Sequence, residues 1–172
     1  MQTFPSLYNF LCRKNAKSIN LYDYTCHMKY PKYPMKVDDA HTKYEFISEG
    51  PRGNILKAVI YGQIEEDLFN LAFGDWNAEL KKVDDTSRSN NGDRDKVLAT
   101  VAATAIDFTN KFPDAIIYTE GSTPARTRLY QIGIANNLEE ISKDFEIEGY
   151  INDTWEPFQK GHNYGAFLVR RK

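Results

Sequence analysis

Cysteine is almost missing from this chain, which has only Cys12 and Cys26. No CxxC pair or zinc-like spacing is present, which excludes a disulfide-framed or zinc-stapled miniature fold and leaves two free thiols in a reducing compartment. Histidine is just as scarce. His27, beside Cys26, stands far in sequence from His41 and His162, whereas a metal site needs three or four converging ligands, so no metal is expected. Long apolar runs are lacking too, and none approaches the roughly 20 residues that span a bilayer. Arg13, Lys14 and Lys17 follow the weakly apolar beginning of the chain, the reverse of a secretory signal. These absences place the chain in the cytoplasm, away from membranes. Finally, there is no basic excess: 22 Lys and Arg stand against 24 Asp and Glu, which argues against wrapping nucleic acid.

What is present is enough chain for one domain with a real core. Aromatic residues are plentiful, at 13% of the 172 residues. The charge is unevenly spread. Residues 1–36 hold six basic residues and one acidic one, leaving 16 basic and 23 acidic for the rest. Tyr22, Tyr24, Tyr30 and Tyr33 interleave with those charges, and Pro31 and Pro34 interrupt them. A basic, tyrosine-rich arm can stack on nucleic acid. Without apolar periodicity, however, residues 1–28 read as a poorly ordered leader, with Met28 or Met35 as an alternative start. The domain is then 29–172.

Within it, Lys43–Glu49 and Ile55–Tyr61 read as strands around the Gly50-Pro-Arg-Gly53 turn, and Leu68–Phe73 as a third. Short connections make this an antiparallel meander. Residues 78–92 read as a polar surface loop. The spacing of Val97, Leu98, Val101, Ala102, Ala105, Ile106, Phe108 and Phe112 predicts a helix over 94–112, capped by Asp93 or Asn91 and stopped by Pro113. Residues 115–118 read as a strand covered on both faces, reached through a helix and so parallel to a neighbour by a right-handed crossover. A short helix begins at Pro124 and stops at Gly133. Residues 136–144 read as a polar connection, followed by strands at 145–151 and 166–170. The order is β-β-β-α-β-α-β-β, an α/β (α+β) domain with a mixed sheet.

The stretch 115–134 carries the chemistry. Gly121, Ser122 and Thr123 lead into a helix N-terminus, where free N–H groups, hydroxyls and the helix dipole favour an anion, with Arg126 and Arg128 placed to clamp it. The other reading is structural, with Ser122 or Thr123 capping. Tyr130 follows on the same helix, where a phenol can protonate a departing group or simply pack in the core. Glu45, Glu49, Asp93, Asp95 and Glu120 stand at element ends, the places from which carboxylates converge on two-metal sites.

Several strings resemble a family of small bacterial proteins known only as a domain of unknown function. They are Phe46-Ile-Ser-Glu-Gly-Pro51, Asn70–Trp76, Asn90-Asn-Gly92 with Val97–Val101, Gly121–Ile134 and Trp155–Gly161. The likeness covers about residues 29–172 and implies one domain without assigning an activity. The order of elements and the run Ala125-Arg-Thr-Arg-Leu-Tyr-Gln-Ile-Gly-Ile134 are also similar to the end of the GNAT acyltransferase fold. That resemblance implies acyl transfer from acetyl-coenzyme A with Tyr130 as general acid. It departs at Arg88–Asp93, where a glycine-rich diphosphate turn is expected and where Asp93 and Asp95 would oppose the phosphates. The ribonuclease H-like fold is the alternative architecture, with Glu45 or Glu49, Asp95 and Glu120 as its carboxylates. The competing function is a non-catalytic interaction module, such as one member of a toxin–antitoxin-type pair, meeting a small protein partner through Arg126, Arg128, Trp76 or Trp155.

Overall fold

A computed structural model describes residues 31–84 and 89–172. Cys12, Cys26, His27, the leader and Arg88 lie outside the described residues. Nine strands and two helices are present among the described residues, in an α+β arrangement with a mixed, mostly antiparallel open sheet. The strands are β1 (Met35–Val37), β2 (Lys43–Gly50), β3 (Gly53–Gln63), β4 (Leu68–Asn77), β5 (Lys82–Asp84), β6 (Ile116–Thr119), β7 (Phe145–Ile151), β8 (Thr154–Pro157) and β9 (Ala166–Arg171). Helices α1 (Arg94–Lys111) and α2 (Pro124–Asp144) flank β6 in sequence.

The meander is β2-β3-β4. Gly50 pairs with Gly53 across its first turn, and Gly53 takes a φ of 85°, the left-handed region that a residue without Cβ enters freely. The short edge strands β1 and β5 add to the meander, so Met35–Val37 is sheet and the expected loop 78–92 contains a strand. The first three residues of β4, Leu68–Asn70, pair in parallel with β6, while its far end, Asp75–Asn77, pairs with β5. Beyond β6 the order is β9, β7, β8.

The parallel direction of β6 forces the chain to cross over through α1. Because β6 and β7 are each antiparallel to β9, they run the same way, and a second crossover passes through α2. Right-handed crossovers that step in one direction across a sheet put their helices on one face. Ile117, Val169 and Ile147 occupy that face in register, and both helices pack there. The strand 116–119 is therefore covered on one side only: Ile117 and Thr119 are buried, whereas Ile116 and Tyr118 are half-buried. On the opposite face Ile47 and Leu56 are exposed, Lys43 pairs with Glu45 and covers Trp76, and Arg170 meets Glu146 and Glu148.

Two features of the helices differ from what the sequence pattern suggests. The sheet-facing side of α1 is partly polar. Thr100 accepts from Tyr33 N–H at 2.9 Å, Thr104 bonds the Tyr61 hydroxyl at 2.8 Å, and Tyr44 donates to Asp107 at 2.9 Å. Buried phenols meet buried acceptors, and burial pushes the hydroxyls of Tyr44 and Tyr61 far above their ordinary ionisation range. Leu98, Val101, Ala102, Ala105 and Ile106 line the space between α1 and α2, and Val101 and Ala105 also pack on the meander core. The second difference is that α2 runs through Gly133 to Asp144. Gly133 does not stop the helix; it admits the side chain of Leu98, whose Cδ1 would lie 3.3 Å from an added Cβ. Ile134, Leu138 and Ile141 continue the apolar stripe and hold residues 136–144 helical.

Gly149 of β7 lies under the Tyr164 ring, and an added Cβ would stand 2.3 Å from it. Gly149→Ala is expected to destabilise the fold by about 1–3 kcal/mol, as overpacking does. Gly62→Ala, which meets nothing within 4 Å, should stay within about 0.5 kcal/mol of the parent. Urea unfolding of both variants checks the pair.

Candidate functional site

The chain leaves β6 through Thr119, Glu120 and Gly121 and turns at once into α2. Thr123 is the N-cap. Its backbone is extended, its Oγ1 accepts from Arg126 N–H at 3.3 Å, and Pro124 takes the first helical position. Gly121 donates its N–H to Thr127 Oγ1 at 3.1 Å, and a Cβ there would stand 2.3 Å from Thr127 N. Its glycine serves close approach, with no positive φ involved.

Beside this turn lies a groove of about 390 Å³, lined by Glu120, Gly121, Ser122, Thr123, Arg128 and the loop residues Asn163 and Tyr164. The structure thus brings together four of the five residues expected to bind an anion; Arg126 does not line the groove. The groove is not purely a donor cradle. Arg128 Nη1 donates to Asn163 Oδ1 at 2.8 Å, and Glu120 adds a carboxylate. Tyr118 donates to Glu120 Oε2 at 2.5 Å; burial and then this hydrogen bond push its phenol up to about 12. Buried Gln131 fastens α2 to the same loop by donating to His162 O and accepting from Tyr164 N–H at 3.3 Å.

Tyr130 lies elsewhere. It lines a cavity of about 120 Å³ between α1 and α2, floored by Leu71, Ile117, Ile147 and Val169 of the sheet. Along α2 the lining recurs at helical period through Tyr130, Gly133, Ile134, Asn137 and Ile141; along α1 it runs through Leu98, Val101, Ala102, Ala105 and Ile106. Thr119, at the carboxyl end of β6, completes the upper end. Crevices at the carboxyl ends of parallel strands are common ligand sites in sheets with crossovers. The sequence pattern located Tyr130 but missed Thr119 and Asn137. Extending the stripe Tyr130, Ile134, Ile141 past Gly133 would have found Asn137.

The N-terminus of α1 tests whether coenzyme A fits. Asp93 Oδ2 accepts from Tyr33 at 2.7 Å and from Ser48 at 2.6 Å, although Asp93 makes no side-chain capping bond. Asn91 Nδ2 donates to Ser48 Oγ and Gly53 O at 3.0 Å each, and Arg52 N–H donates to Asn91 Oδ1 at 2.9 Å. The turn is pinned against the β2–β3 hairpin, with a carboxylate where a diphosphate would need donors. The residues present there do not fit the coenzyme A diphosphate. The carboxylates expected of a ribonuclease H-like site also stay apart. Glu45 pairs with Lys43, Asp95 with Arg94, and Glu120 with Tyr118. No three metal-ligating side chains gather among the described residues.

The loop beside the groove and strand β8 together carry a titratable cluster. Glu156 Oε1 accepts from Tyr164 at 2.8 Å and lies 2.8 Å from His162 Nδ1. The Tyr164 hydrogen bond, followed by that of His162, holds the Glu156 carboxyl below its ordinary value of 4.5. A lowered carboxyl favours the folded state above that ordinary value and loses this contribution as pH falls through the lowered one. Tyr164→Phe should move the Glu156 midpoint, followed by carbon NMR, upward toward 4.5 and lessen the acid sensitivity of folding. An unmoved midpoint would show that the phenol does not set it.

No helix among the described residues is long and apolar enough to cross a membrane. No curated protein and no solved structure matches the chain. The model of a family of unknown function, DUF6934, matches residues 29–172. A match over that much of the chain shows the family, and the protein belongs to DUF6934.

Proposed function

We propose that this chain is an acyl-group-binding domain on a GNAT-like plan, with its site in the cavity between α1 and α2 and Tyr130 as the proton donor. The observation that carries the reading is the place of Tyr130: it lines an apolar cavity beside Thr119, at the carboxyl end of the strand that runs parallel to β4. An apolar cavity suits a short acyl chain, and a half-buried phenol suits a departing sulfur. In the transfer, the acceptor's nucleophile bonds to the carbonyl carbon and releases its own proton to solvent, the carbon–sulfur bond breaks, and the sulfur takes the phenolic proton, which solvent restores. Because Asp93 occupies the α1 turn, the donor is a small thioester, recognised without a nucleotide.

A second reading, an interaction module in a toxin–antitoxin-type pair, is favoured by the sheet face opposite the helices. Ile47 is 47% exposed there and Leu56 40%.

The test is calorimetric titration with S-acetyl-N-acetylcysteamine and with acetyl-coenzyme A, followed by a transfer assay on Tyr130→Phe. The small thioester should bind, and acetyl-coenzyme A should gain no more than about threefold from its nucleotide, since the α1 turn offers a carboxylate instead of donors. The variant should keep its melting temperature and lose about a hundredfold in turnover, the usual worth of a general acid. Absence of binding by either thioester, or an unchanged rate in the variant, would overturn the proposal.

A further inference from the structure

The cavity between the helices is walled mainly by Leu98, Val101, Ile106, Ile134 and Ile141, and among the polar side chains that also line it Asn137 stands out. Asn137 stands in the middle of the α2 stripe and is 5% exposed. Its Nδ2 donates to Gly133 O at 2.9 Å, one turn earlier, which fixes which end of the amide is the donor. Its Oδ1 is left over. Among the described residues it is the one buried side-chain nitrogen or oxygen without a hydrogen-bond partner. Other buried polar side chains are matched to partners, as in Tyr61 with Thr104 and Tyr44 with Asp107. A buried acceptor without a donor is costly, and such exceptions call for an explanation.

The residue is also an unusual choice for its place. Asparagine is a poor helix former, and an aliphatic side chain would continue the apolar stripe without leaving an unmatched carbonyl. Oδ1 is itself buried, so a mostly apolar ligand that carries one donor reaches it by displacing the side chains packed around it.

We propose that Asn137 Oδ1 is the polar anchor of this cavity, accepting a hydrogen bond from an uncharged N–H or O–H group of the molecule it holds. The ligand class is a compact alcohol, phenol or secondary amide with an apolar body. The cavity, at about 120 Å³, is of the order of cavities that hold a single benzene-sized ring. A carboxylate is disfavoured, because it would bring negative charge to a carbonyl oxygen in a lining that also includes Glu140 and Asp144. This inference rests on the cavity being a ligand site, as the acyl-binding reading holds, but not on acyl transfer taking place there.

Phenol and toluene are the probes, since they share a shape and differ by hydroxyl for methyl. Each is titrated into the full chain and into Asn137→Leu, with the methyl resonances of Leu98 and Ile134 observed by NMR. The phenol-to-toluene affinity ratio should fall by about three- to tenfold in the variant, the usual worth of one hydrogen bond. Comparing two ratios cancels the different hydration of the probes. As a check that needs no variant, the side-chain carbonyl carbon resonance of Asn137 should move with phenol and stay put with toluene. If toluene binds but the ratio is the same in both proteins and the carbonyl resonance is still, a water or nothing holds Oδ1. The anchor is then refuted while the cavity stands. If neither probe moves the methyl resonances of the wild-type chain, the cavity is not a ligand site and both readings fall.

Discussion

Three residue pairs between β4 and β6 determine how the rest of the chain is laid out. Their parallel direction cannot be reached by a hairpin, so α1 must carry the chain back across the sheet. The same requirement recurs from β6 to β7 around antiparallel β9. Both crossovers have one hand and step one way, which sets α1 and α2 side by side on a single face. The contact of Leu98 with Gly133 then fixes how closely they approach. The cavity proposed as the ligand site lies in the space this leaves between them.

The buried polar groups divide the molecule into a locked half and an open half. Around the meander, Tyr33, Tyr44, Tyr61, Thr100, Thr104, Asp93 and Asp107 form matched pairs. Lys57, only 5% exposed, is held by Asp75 and by Ser89 at 2.5 Å. Buried groups satisfied in this way specify one arrangement and leave little to give a ligand. Around α2 the pattern changes. An apolar cavity has an unmatched carbonyl, and the groove at the helix N-terminus is bordered by both an arginine and a carboxylate.

Much of this was legible in the sequence, and the parts that were not have physical causes. Strand β2 could be read because its residues alternate between a covered and an open face, and β3 and β4 because their aliphatic and aromatic runs are bounded by turn residues. The parallel direction of β6 followed from the helix before it. The edge strands β1, β5 and β8 have three or four residues each, too few for a period to show. Tyr33 looked like part of a loose arm between two prolines. Its burial depends on Thr100 and Asp93, 67 and 60 residues away. Gly133 looked like a helix stop because glycine so often is one; only the neighbouring helix shows why a glycine is needed inside. Tyr130 and the Gly121–Thr123 turn were both singled out as candidates, and one helix carries them to different pockets. Asn137 could be picked out only after α2 was known to continue beyond that glycine.

The central claim is that the space between α1 and α2 is where this domain receives a small molecule. Isotope-filtered nuclear Overhauser spectroscopy of the full chain with toluene tests it most directly. The account predicts contacts from the ring protons to the methyl groups of Leu98, Val101 and Ile134. Contacts confined to Ile47 and Leu56, on the opposite face of the sheet, would contradict it and move the search for function to that surface.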